Sequence, residues 1–204
     1  MDSSLTRQDA DGAASDPFAL FAAWMAEAVA SEPNDPNAMT LATASATGAP
    51  SARIVLLKGW DQAGFVFYTN TQSRKGGELG ANRQVALLFH WKSRRRQIRI
   101  EGVAAPVTAE EADAYFDTRP RISRLGAWAS DQSRVLPARA ILEDRVIALE
   151  ARYPTDAIPR PAHWSGYRVT PAAFEFWQDM PFRLHDRTVF TREETGWQAG
   201  KLFP

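Results

Sequence analysis

Near the C-terminus, the pentapeptide RLHDR places Arg183, His185 and Arg187 two residues apart. On an extended backbone all three would share one face. Two guanidinium groups and an imidazole can hold an anion or steer a proton, or they can form an ordinary polar rim. Three other stretches also concentrate donors. In RIVLLK, period-two alternation puts Arg53, Val55 and Leu57 on one face and Ile54, Leu56 and Lys58 on the other. Its two cations then point opposite ways, and either flank a buried strand or serve two anions or two subunits. In YTNTQSRKGG, Tyr68 and Thr69 end a strand, and Ser73, Arg74 and Lys75 open a short helix. Backbone donors at a helix N-terminus, a hydroxyl and two cations suit phosphate. Cations in a first turn oppose the helix dipole, so the placement asks for a compensating anion.

In YFDTRPRIS, Tyr115, Arg119 and Ser123 follow one another at intervals of four, the spacing of one helical face. If helical geometry carries across Pro120, a phenol, a guanidinium and a hydroxyl meet as a phosphate clamp; singly, each is an ordinary structural residue. Gln132 and Ser133 follow in a loop. The run RRRQIRIEG reads as a solvated basic turn rather than an RNA-binding patch, because aromatic residues do not interleave it. Its Gln97 opens a strand, where an amide can pair with a heterocycle edge.

The whole chain narrows the chemistry. Its 204 residues suffice for one domain with a real core, and 24 basic residues balance 24 acidic ones. Nothing global points to nucleic acid or a membrane surface. Only Lys58, Lys75, Lys92 and Lys201 among the basic residues are lysines. There is no cysteine, which excludes disulfides, a thiolate nucleophile and cysteine-ligated metal. Three histidines without HExxH spacing make no metal site. The acidic start reads as neither signal nor transit peptide, so the expected location is the cytoplasm.

The elements that must position these residues are mostly strands. Residues 1–16 read as a disordered arm and 17–204 as a single domain. From Pro17 a helix is predicted with Phe18, Phe21, Met25 and Val29 at helical spacing. AMTLATAS and SARIVLLKGWD read as a hairpin, followed by FVFYTN, QVALLFHW and RRQIRIEGVAAPV. Thr108 and Glu111 form a capping box at the head of another helix, and LPARAILEDRVIALEARY is a further amphipathic helix. Three final strands complete the sheet. Short connections between successive strands, and no GxGxxG after the first strand, favour an antiparallel barrel with peripheral helices over a Rossmann fold.

Taken in order and at these intervals, RIVLLK, VFYTNTQSRK, RRQIRIEG, YFDTRPRISRLGAWASDQS, FEFWQ and RLHDR resemble the pyridoxamine 5'-phosphate oxidase family from about residue 37 onward. The resemblance implies a mainly β, antiparallel FMN-binding split barrel that forms a homodimer with FMN at the subunit interface. It implies oxidation of pyridoxamine or pyridoxine 5'-phosphate to pyridoxal 5'-phosphate, with O2 as acceptor and H2O2 as by-product. Carried over, Arg53, Arg74, Lys75, Gln132 and Ser133 hold the FMN phosphate and ribityl end, with Ile54, Val55, Leu56, Lys58, Tyr68, Thr69 and Ser73 beside them. Gln97, Trp177 and Arg187 lie along the flavin ring. Lys58, Tyr115, Arg119 and Ser123 clamp the substrate phosphate, and Arg183 and His185 are the catalytic pair over the pyridine ring. Without the resemblance, Trp177 reads as a core tryptophan. One departure stands out: Asp179 sits where the family has glycine, so its Cβ is expected to shift the following loop, and its charge to repel phosphate. Competing readings are another flavin enzyme on the same barrel, such as a phenazine-pathway oxidase or flavin reductase, and a non-catalytic FMN- or pyridoxal-phosphate-binding protein.

Overall fold

A computed structural model describes residues 16–204. The expected arm, apart from Asp16, lies outside the described residues. Asp16 itself caps the first helix, α1 (Pro17–Ser31), its side chain accepting from the Phe18 backbone N–H. Nine strands follow: β1 (Ala38–Ala44), β2 (Pro50–Leu56), β3 (Gly59–Asp61), β4 (Gly64–Asn70), β5 (Gln84–Trp91), β6 (Arg96–Pro106), β7 (Trp164–Gln178), β8 (Asp186–Glu193) and β9 (Gly196–Lys201). Helix α2 (Arg74–Ala81) lies between β4 and β5, and α3 (Ala109–Asp117), α4 (Arg121–Ala129) and α5 (Arg139–Arg152) lie between β6 and β7.

All pairings are antiparallel, in the order β2-β1-β5-β6-β7-β4-β3, with β8 and β9 continuing from β7. Hairpin partners are local, but β1 on β5 and β4 on β7 join distant segments and curl the sheet into a half-barrel. Helix α1 plugs it. Phe18 stacks on Phe65 at 5.6 Å, and Phe21 meets Phe65 and Phe89 edge-on. The buried stripe runs through Phe18, Phe21, Met25 and Ala28, whereas Val29 is exposed. Seven residues are nearly two full turns, so Ala28 falls under Phe21 and Val29 rotates out to solvent.

The expected long strand through Lys58 is divided in two. After β2, the Leu57 N–H donates to Asn37 O and the Lys58 N–H to Val66 O, carrying the chain from one edge of the sheet to the other. Helix α5 forms as its periodicity suggests, yet none of its residues is buried within one chain. Thr108 caps α3 by accepting from the Glu111 N–H. The Glu111 carboxylate pairs with Arg168. A second small core of Phe116, Leu125, Ile158 and Trp164 packs α3 and α4 against the sheet and builds one wall of the cleft described next.

Candidate active site

A cleft of about 850 Å³ opens between β2, the end of β4, the start of α2, the α3–α4 elbow and the loop at 130–132. Its lining includes Arg53, Ile54, Val55, Leu56, Lys58, Tyr68, Thr69, Lys75, Tyr115, Arg119, Ser123 and Gln132. Four of its lining side chains are cationic, and none is a carboxylate. Arg53 and Lys58 thus line one cavity, which takes residues from both faces of this stretch. The alternation itself continues to Lys58, with Arg53, Val55 and Leu57 the more buried and Ile54, Leu56 and Lys58 the more exposed.

Tyr115, Arg119 and Ser123 all line the cleft, from two helices and the elbow between them. Tyr115 lies in the last turn of α3, Arg119 in the elbow and Ser123 in α4, with Pro120 as the N-terminal boundary residue of α4. Tyr68, Tyr115 and Trp164 form a parallel ring stack, Tyr68 lying 4.1 Å from Tyr115 and 5.3 Å from Trp164. Arg119 sits over Trp164 with its guanidinium carbon 4.7 Å from the ring centroid. Burial lowers the Arg119 pKa, and its Nη1 is buried with no hydrogen-bond partner among the described residues. A buried donor without an acceptor is costly, and a ligand oxygen would satisfy it. Burial also raises the Tyr68 hydroxyl to about 12, with Glu111 next in effect, so this phenol stays protonated.

At the opposite end of the cleft, Lys75 Nζ donates to Thr69 Oγ1 at 3.1 Å and Gln132 Oε1 at 3.0 Å. Desolvation, then the neighbouring Arg53, holds its pKa below the ordinary lysine value. Helix α2 sits close against the preceding loop because Gly76 has no side chain; a Cβ there would come within 2.1 Å of Thr71 O. Ser73 serves chiefly as the helix cap, donating to Asn70 O and accepting from the Gly76 N–H. Arg74 is largely exposed and pairs with Glu78 outside the cleft lining. Behind Arg53, the Glu78 carboxylate accepts from Thr43 at 2.5 Å, Ser51 at 2.7 Å and Arg53 at 3.0 Å. The two hydroxyls, helped by the arginines and opposed by burial, pull its pKa down to about 2. Ser133 has a left-handed φ of 73° and lines a separate hollow with Gln132.

The remaining candidates lie elsewhere. Strand register places His90, Gln97, Trp177 and Arg187 in one rung across β5, β6, β7 and β8. Trp177 is therefore only partly buried, on the outer face of the sheet rather than in the core. Arg187 reaches along that face to Glu175 at 2.7 Å, and Arg99 approaches Glu175 at 2.6 Å. Burial alone would raise the Glu175 pKa; the two arginines outweigh it and keep the group ionised. A second hollow, about 340 Å³, is lined by His90, Lys92, Arg95, Trp177, Asp179, Arg183 and His185. It shares no lining residue with the cleft.

RLHDR is not one extended face. A 3-10 turn, Pro181–Arg183, precedes β8, with φ of 58° at Phe182 and 63° at Arg183. Asp179 is not among the positive-φ residues, so the bend falls later and no glycine is required at this position. Its carboxylate is held by Arg95 and by His185 rather than presented to a ligand. Trp164 follows a proline-rich loop, and no local signal in the sequence marks it as a cleft residue. His90 is a further residue of the second hollow, and the hairpin register across the turn at 92–95, which pairs it with Gln97, was the signal for it.

Comparison with known proteins agrees with this architecture. The family model described as pyridoxamine 5'-phosphate oxidase matches residues 25–153, and one described as a pyridoxine 5'-phosphate oxidase C-terminal dimerisation region matches 164–204. A pyridoxine/pyridoxamine 5'-phosphate oxidase of Granulibacter bethesdensis is 67% identical, covering 97% of this chain and 95% of the relative. A protein of the same name from Gluconobacter oxydans is 64% identical, covering 93% and 94%. Among solved structures, PhzG of Burkholderia lata, in complex with tetrahydrophenazine-1-carboxylic acid, has a TM-score of 0.90 at 34% identity, covering 95% of each chain.

Proposed function

Because the chain belongs to the pyridoxamine 5'-phosphate oxidase family, we propose that it oxidises pyridoxine and pyridoxamine 5'-phosphates to pyridoxal 5'-phosphate, using FMN and dioxygen and releasing hydrogen peroxide. The observation that carries this reading is the cleft lining, with Arg53, Lys58, Lys75 and Arg119 and no acid. Arg53 already shares the Glu78 carboxylate, but Lys75 beside it and Lys58 with Arg119 form two separate groups of cations, which a cofactor phosphate and a substrate phosphate would match. The orphaned Arg119 Nη1 supports the fit at the substrate end. Lys75, with Thr69 and Gln132 already converging on its ammonium, supports it at the cofactor end.

In this reading Arg53, Lys75, Thr69 and Gln132 hold the FMN phosphate and ribityl chain, and Lys58, Tyr115, Arg119 and Ser123 hold the substrate phosphate. FMN, when bound, supplies the hydride acceptor that dioxygen regenerates. The chain's own contribution is binding and orientation. The stacked tyrosines and Trp164 give Arg119 a rigid seat, and fixed charges need little reorganisation as the reaction proceeds. Trp177, Arg183 and His185 line a separate hollow, and Gln97 and Arg187 lie on the same rung as Trp177, so one chain alone divides the constellation. We propose that a second copy completes each site, in keeping with the match to a dimerisation region over 164–204. No helix among the described residues is long and apolar enough to cross a membrane. Dianionic phosphate esters do not diffuse through a bilayer, and we place the reaction in the cytoplasm that holds them.

Anaerobic mixing with pyridoxamine 5'-phosphate tests the proposal. The visible flavin band should bleach, and R119M should slow bleaching at low substrate. Flavin-loaded protein that stays yellow with both vitamers would overturn it. A tetrahydrophenazine carboxylate carries no phosphate and would leave Lys58 and Arg119 without a dianion, so the phosphorylated vitamers are the better match.

A further inference from the structure

Strand register pairs Leu41 with Arg53 and Thr43 with Ser51 in the β1–β2 hairpin, so Thr43, Ser51 and Arg53 share one of its faces. Helix α2 brings Glu78 to that face. Glu78 is 8% exposed and does not line the cleft, whereas Arg53 does. The Arg53 guanidinium is held at both ends of its fork. Nη1 donates to Leu41 O at 3.2 Å and to Thr43 Oγ1. Nη2 donates to Ser51 Oγ at 2.5 Å and to Glu78 Oε2 at 3.0 Å. Of the three guanidinium nitrogens, Nε alone has no partner among the described residues. Each hydroxyl accepts from Arg53 and donates to Glu78, so one direct contact and two bridged ones tie the cation to the carboxylate. Glu78 Oε1 accepts from Arg74 Nε at 2.9 Å, which fixes the carboxylate from its own helix.

A long, flexible side chain that must be ordered by its ligand spends part of the binding energy on that ordering; one already fixed does not. We propose that Glu78 is a positioning residue for anion recognition: it fixes the Arg53 guanidinium before the flavin phosphate arrives, so the ligand meets a preset charge and a free Nε–H. This rests on the cofactor half of the proposed function and is independent of the substrate. Glu78 acts through Arg53 and contacts no ligand. Burial and then Arg53 lower the Lys75 pKa while Glu78 opposes them, so the same carboxylate helps the neighbouring lysine keep its proton. A carboxylate close to a phosphate site also repels the phosphate, and the two effects have opposite signs. Positioning makes Glu78 favourable to FMN; bare repulsion makes it unfavourable.

Fluorescence titration of flavin-free protein with FMN and with riboflavin tests this, because riboflavin has the same ring and ribityl chain without the phosphate. Glu78→Gln should weaken FMN binding about tenfold, the scale of one charge-assisted hydrogen bond, and change riboflavin binding by less than about twofold. Ser51→Ala keeps both charges and removes one bridging hydroxyl. It should weaken FMN about threefold, again sparing riboflavin, and it carries the test if Glu78→Gln does not fold. In an Arg53→Met background, Glu78→Gln should cost no further FMN affinity, because nothing is left for the carboxylate to position. Equal losses for FMN and riboflavin would make Glu78 merely structural. Unchanged or tighter FMN binding in Glu78→Gln would leave only repulsion, and a further loss in the Arg53→Met background would require a route other than Arg53. Each of these results overturns the proposal. Wild-type protein that does not prefer FMN to riboflavin sinks the cofactor reading as well, whereas a preference that survives Glu78→Gln and Ser51→Ala sinks this proposal alone.

Discussion

Replacing Glu78 by glutamine should expose a specific acid sensitivity. The carboxylate is 8% exposed and accepts from Thr43, Ser51, Arg53 and Arg74, which together move its pKa from an ordinary 4.5 to about 2. At about 1.4 kcal/mol per pH unit, this difference corresponds to roughly 3 kcal/mol of folded-state stability at neutral pH. Arg74 is 67% exposed, so its share is discounted by solvent, and a cost of about 2–3 kcal/mol is expected for E78Q. Because the folded pKa lies below the unfolded one, the stabilisation is complete above about pH 4.5 and is lost as pH falls towards 2. The gap between wild type and E78Q should therefore narrow by roughly 1 kcal/mol at pH 4 and roughly 2 kcal/mol at pH 3. Urea unfolding followed by tryptophan fluorescence measures it. Protein and flavin concentrations must be constant, since ligand binding and dimerisation both shift apparent stability. A gap that stays flat from pH 7 to pH 3 would refute the assignment of this stability to an ionised Glu78.

Three further outcomes follow from other contacts. Arg119→Met should raise KM for the phosphorylated vitamers by about 30-fold or more with a smaller change in kcat, because a buried charge-assisted contact is lost from both ground and transition states; steady-state peroxide release reads the split. Gly76→Ala should destabilise the protein by about 1–3 kcal/mol and weaken FMN binding, since its Cβ meets backbone at Thr71 rather than a movable side chain; thermal unfolding and flavin titration measure the two effects. Trp164→Ala should cost about 3–5 kcal/mol by emptying the stack beneath Arg119, seen as a lowered denaturation midpoint.

Much of the grouping of donors was legible in the chain itself. The spacing of Tyr115, Arg119 and Ser123, and the order Ser73-Arg74-Lys75 at a helix start, are local patterns, and local patterns survive folding. The α1 core face and the cap at Thr108 follow from periodicity and short-range hydrogen bonding for the same reason. Even the rung joining His90 to Gln97 was implicit in a four-residue turn. Tertiary structure alone decided that Arg53 and Lys58 share a cavity, because that cavity takes residues from both faces of their stretch. It decided that Ser73 caps its helix, and that Arg187 faces Glu175. It also decided that Trp164 closes the cleft, brought there by β7 pairing with β4 across nearly a hundred residues of chain. For Asp179, the sequence alone identified an acid where a glycine was expected. Its meaning came from Arg95 and His185, which only the folded sheet brings to either side of it: a carboxylate's effect depends on which charges and protons surround it, and no spacing rule encodes neighbours that meet across strands.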